Sequence, residues 1–124
     1  MSVRDFKGIP SIQEVECWGG ALEAGVRLFS LKIFLIPEGT VLAFLEPSSA
    51  NCVTYSEFSS CFIETSDTRN SRLRVLVPEL NEGESKVYGC NATSIKTLDH
   101  YKITSWNIVV TRESEYPCVF TGLI

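Results

Sequence analysis

Histidine, excess basic charge and long apolar runs are all scarce in this chain, and each shortage removes a class of function. The only histidine is His100, and the cysteines at 17, 52, 61, 90 and 118 are widely spaced. The close Cys/His pairs that hold zinc are therefore missing, and no metal site is expected. Eleven Lys and Arg stand against fifteen Asp and Glu, for a net charge of -4 and a pI near 5.0. With no basic cluster to neutralise a row of phosphates, nucleic acid is not an expected partner. The longest apolar stretch, VRLFSLKIFLI from Val26 to Ile36, is broken by Arg27, Ser30 and Lys32. It is too short to span a bilayer, so no direct membrane insertion is expected.

The opening MSVRDFKGIPSIQEVE carries Arg4, Asp5 and Lys7 where a signal peptide has an apolar run. What is abundant is cysteine. Five in 124 residues is dense for a cytosolic domain and favours an oxidising compartment, with one cysteine left over from pairing. Taken together, the chain reads as a piece of a larger secreted or cell-surface product whose leader lies outside it, in preference to a cytoplasmic protein.

Hydrophobic alternation has a period of two along most of the chain. RLRVLVPEL alternates Leu73, Val75 and Val77 with Arg72, Arg74 and Leu76, and SWNIVVTRE does the same with Trp106, Ile108 and Val110. Further β-rich runs occur at TVLAFLE and CVTYSEF. They are separated by turn-forming segments at 36–39 (IPEG), 46–51 (EPSSAN), 66–71 (SDTRNS) and 81–85 (NEGES). Short strands at this spacing imply an antiparallel sandwich.

In SKVYGCNATS, Tyr88 stands two residues before Cys90, and Glu84 stands four before Tyr88. With SRLRVLVPEL upstream as a strand E and SWNIVVTRE downstream as a strand G, residues 71–113 resemble an immunoglobulin-superfamily domain. The wider pattern from Cys17-Trp18-Gly19-Gly20 to Ser105-Trp106 is similar to immunoglobulin-like modules of secreted or cell-surface invertebrate proteins, molluscan ones in particular. The resemblance implies an all-β, antiparallel immunoglobulin-like β-sandwich of Greek-key type over residues 1–115. Residues 116–124 would be a tail or the start of a second, truncated module. Tyr88, Cys90 and Trp106 would be its structural signature, Tyr88 as the tyrosine corner that bonds back to the preceding turn.

Aligned with that family, EAGVRLFSL falls on strand B, which puts Ser30 at the first core cysteine and Phe44 at the core Trp of strand C. The bridge between strands B and F is then in doubt. Cys52 and Cys61 are the most economical pair, between strands C′ and D. Cys17 is left to pair with Cys118 or with Cys90, and buried free thiols are the remaining alternative.

Asn91-Ala92-Thr93 is an N-glycosylation acceptor, expected at the end of strand F. His100 beside Asp99 is the one candidate catalytic base, but no serine sits in a nucleophile-elbow pattern and nothing places a reactive thiol nearby. Glu14 with Glu16, and Glu82 with Glu84, read as solvated charge. WGGALEAG lacks the strand-to-helix setting of a phosphate loop. No catalysis and no cofactor are expected.

There remains a non-catalytic recognition or adhesion module for a protein or glycan ligand, or for neighbouring modules of its own kind. The alternative is a structural spacer in a multi-domain ectodomain with no ligand of its own. The expected presenting loops are IPEGT, taken as the B–C connection, and SIKTLDHYK between F and G. His100 and Tyr101 are their candidate recognition residues, or else solvated hairpin tips.

Overall fold

Alternating apolar and polar side chains organise the chain into strands. The computed structural model describes residues 1–111 apart from 7–8, 21, 24, 56–58, 65–66, 78–79 and 98. The described residues form β1 (Ser2–Phe6), β2 (Ile9–Trp18), β3 (Arg27–Ile36), β4 (Val41–Glu46), β5 (Asn51–Thr54), β6 (Ser59–Phe62), β7 (Arg72–Val77), β8 (Ser85–Thr97) and β9 (His100–Thr111). The expected tail at 116–124, including Cys118, lies outside the described residues.

In β7, Leu73, Val75 and Val77 are buried while Arg72, Arg74 and Leu76 are partly exposed. Period-two patterning of this kind commits one face of a strand to a core and the other to solvent. Two antiparallel sheets result, one of order β1-β2-β7-β6 and the other of order β5-β4-β3-β8-β9. This is a β-sandwich with the strand order of a variable-type immunoglobulin domain, A-B-E-D facing C″-C′-C-F-G.

The N-terminal half differs from the sequence alignment by one strand. EAGVRLFSL does not form strand B; its strand, β3, pairs with β4 and β8 inside the five-stranded sheet. Strand B is β2, hydrogen-bonded to β1 and β7, and it carries its own cysteine. Cys17 is disulfide-bonded to Cys90 across the two sheets. The B-to-F bridge is therefore present, and a Cys17–Cys118 pairing is excluded. Phe44 lies on β4, paired with Lys32, and is not in the strand-C core position. In β3 the fully buried positions opposite Cys90 and Ala92 are held by Ile33 and Leu31.

The inner layer is mainly aliphatic. Val15, Leu31, Ile33, Leu45, Leu73, Val75 and Val110 close over the Cys17–Cys90 bridge, with Tyr88 the largest fully buried side chain. Each such aliphatic contributes roughly 1.5–3 kcal/mol through burial. Burial holds the Tyr88 hydroxyl above its ordinary pKa. Tyr88 occupies the corner position on β8, but the corner bond is not formed with any described residue; the turn is held by Glu84, whose N–H donates to the Asn81 carbonyl at 2.8 Å and whose carboxylate accepts from the Asn81 N–H at 3.2 Å. Gly83 (φ 77°) supplies the left-handed step of that turn.

A second bridge, Cys52–Cys61, joins β5 to β6. These are edge strands of different sheets, so the bridge clips the sandwich along one side. It spans C″ and D, one strand beyond the expected C′.

The outer face of the four-stranded sheet is not simply solvated. Glu14 and Glu16 are buried, at 7% and 9% exposure, beneath three arginines. Arg4 donates to Glu14 at 2.8 Å, and Arg72 and Arg74 donate to Glu16 at 2.9 and 2.7 Å. The Arg72 guanidinium also lies 5.1 Å from the centre of the Trp18 ring. Long arginine side chains thus cover the acids, where the sequence alone suggested solvated charge.

Candidate functional site

Strand direction decides which loops share an end of the sandwich. Because β3 runs antiparallel to β8, Ile36 pairs with Val87 and Arg27 with Ile95. IPEGT joins β3 to β4, so it is the C–C′ turn and lies at the opposite end from the β8–β9 hairpin. The described residues that do face the hairpin are Gly19, Gly20, Leu22, Glu23 and Val26, on the true B–C connection. The turn between β4 and β5, where Glu46 pairs with Asn51, is at the hairpin's end too. Three loops thus share one end, the arrangement by which variable-type sandwiches present a binding surface.

Between these residues and the hairpin lies an open groove of about 480 Å³. Trp106, on the inward face of β9 and packed against the core, also lines the groove. The chain passes close to it through glycine. Gly20 (φ 73°) adopts a backbone conformation disfavoured for other residues, and a Cβ there would stand 3.7 Å from Trp106 Cζ2. At Gly19 a Cβ would come within 3.1 Å of the Leu28 side chain. The glycines of WGGALEAG therefore serve close packing over Leu28 and Trp106.

The hairpin forms the other wall. Lys96, Lys102 and Thr104 line it, and Ser94 Oγ donates to the Lys102 carbonyl at 3.4 Å. His100 and Tyr101, the residues singled out in the sequence, both reach the rim. The Thr97 hydroxyl and His100 Nδ1 are 3.1 Å apart across the tip, so the side-chain partner of His100 is Thr97 and not the adjacent Asp99. Tyr101 is 69% exposed, an amphipathic ring held on a strand end and open to a partner.

Asn91 is not at the end of strand F. It lies in mid-β8, paired with Lys32 on one side and Ser105 on the other, and its side-chain oxygen accepts from Ser105 Oγ at 2.8 Å. Its neighbour Cys90 points inward, so Asn91 faces outward from the centre of the five-stranded sheet. Nearby on that face, Phe34 lies across Gly89, its cross-strand partner, with the Lys32 ammonium 5.4 Å from the ring centre.

Tyr88, Cys90 and Trp106 fall on the expected strands, but Trp106 has an additional place in the groove. Sequence reasoning missed Gly19, Gly20, Lys96 and Lys102 as groove residues. The two lysines flank TLDHY, the hairpin tip, which is the one sequence signal that they belong together. Among the described residues no helix is long and apolar enough to cross a membrane. No protein-family model matches the chain, and no curated protein matches it at a significant level.

Proposed function

We propose that this chain is a non-catalytic recognition module of the immunoglobulin superfamily, acting outside the cell and binding a partner through the groove end of its sandwich. The observation that carries the reading is the convergence of Gly19, Gly20, Leu22, Glu23 and Val26 with the β8–β9 hairpin on the half-buried Trp106. A rigid sheet end with an aromatic floor, an exposed Tyr101 and an adaptable polar rim is the chemistry of a protein-binding surface. Two disulfides support an oxidising compartment. The Asn91 acceptor fits the same setting, with a glycan rising from the outer face of the five-stranded sheet.

A single module of this kind binds weakly and gains strength when several act together. The test therefore uses tetramerised protein on a panel of cell types and purified ectodomains, with the H100A/Y101A double variant beside the wild type. Saturable binding that falls at least tenfold in the variant, with an unchanged unfolding transition, supports recognition. Absent binding favours the spacer reading, and saturable binding unaffected by the double substitution overturns the placement of the site at the hairpin.

A further inference from the structure

The groove carries a local charge opposite to that of the chain. The protein is acidic overall, at -4, yet Lys96 and Lys102 line the same wall. Lys102 pairs across the hairpin with Ser94, two positions before Lys96 on β8. Among the described residues no carboxylate comes within ion-pair distance of either lysine. Like charges placed together on a hairpin oppose its folding, and no described carboxylate pairs with either of them. Beside them lies the Trp106 ring, partly withdrawn from water, and Glu23 stands among the residues of the facing loop.

We propose that the groove takes a segment of a partner protein in which one carboxylate side chain stands next to an aromatic or large aliphatic one. The carboxylate sits between the Lys96 and Lys102 ammonium groups, and the apolar side chain covers Trp106. Glu23 opposes a second acid on its own side, so the site selects a single carboxylate and rejects a polyacidic run. A protein segment is favoured over an acidic sugar by what adjoins the groove. Tyr101 and Ile103 are 69% and 54% exposed on the outer face of the same hairpin, and an apolar margin of that kind fits a protein surface. The assignment rests on the recognition reading above and adds the ligand's chemistry to it.

Titration of the full chain by amide NMR tests it, with N-acetyl-Gly-Glu-Phe-Gly-amide, its Gln counterpart, and a hyaluronan tetrasaccharide as a uronate probe. The Glu peptide is expected to shift amides within 19–26 and 94–106. Its Kd should rise roughly five- to tenfold for the Gln peptide, and by as much in the Lys96→Gln/Lys102→Gln variant, the range for two solvent-facing ion pairs. The variant should unfold no earlier than the wild type, because both lysines lack ion-pair partners among the described residues and their mutual repulsion is removed. Added salt should weaken the Glu peptide more than the Gln peptide. Equal binding of the two peptides at the groove overturns the charge assignment and leaves the groove reading standing. Shifts centred elsewhere overturn both. Tighter binding of the tetrasaccharide at the same residues replaces the protein segment with an acidic glycan. No shift with any probe overturns the assignment, while the tetramer assay decides the recognition reading separately.

Discussion

Cys17 on β2 and Cys90 on β8 face each other from opposite sheets, their Cα atoms 5.8 Å apart and 73 residues apart in the chain. Cys52 and Cys61 close a loop of only nine. Loop-closure entropy makes the long bridge worth about 4 kcal/mol and the short one about 2.5 kcal/mol. Denaturant unfolding of C17A/C90A and C52A/C61A should show the first pair losing more. Equal losses would contradict a stabilisation set by the length of the closed loop.

Glu16 accepts from two arginines, Arg72 at 2.9 Å and Arg74 at 2.7 Å. Its replacement by Gln leaves two cations sharing a neutral partner, at a cost of about 1–3 kcal/mol, discounted because both arginines are about one-third exposed. Urea denaturation at low and high salt measures this. Wild-type stability in E16Q would show the ladder to be energetically idle.

Gly89 lies beneath Phe34, whose ring occupies the space a Cβ would need. Gly89→Ala should displace the ring and destabilise by about 1 kcal/mol. In a Phe34→Ala background the same substitution should be close to neutral, a coupling that a double-mutant cycle reads directly. Additive effects would contradict the packing described.

Tyr88 is buried, and burial raises its hydroxyl pKa. The unfolded chain releases this proton first, so the contribution is intact below the unfolded tyrosine value of about 10. It is lost as pH rises from there through the folded value. Phenolate absorbance should show Tyr88 titrating above the ordinary tyrosine value. In Tyr88→Phe the alkaline fall in stability should be shallower than in wild type.

Much of the sandwich is legible in the sequence because its strands obey a strict period of two. Leu73, Val75 and Val77 identify β7, and Tyr88 with Cys90 identifies β8 without tertiary information. The N-terminal half is harder to read because β2 alternates Val15 and Cys17 with Glu14 and Glu16, a pattern that resembles a solvated segment. The arginines that neutralise those acids, Arg72 and Arg74, stand more than fifty residues away. Missing that pairing moves strand B onto β3 and carries IPEGT to the wrong end. The groove is hidden for a related reason. Gly20 meets Trp106 only after both sheets close, and the two lysines share a wall only once the hairpin register is set.

A substitution scan that reads folding and partner binding side by side tests the central claim most directly. Each variant is displayed on a cell surface, stained for folded protein, and stained again with the partner found in the tetramer assay. The account expects substitutions that abolish binding while sparing folding to cluster within 19–26 and 94–106, around Trp106. A cluster centred on the outer face of the five-stranded sheet, at Phe29, Phe34 and Val109, would contradict it, as would a chain in which no position separates binding from folding.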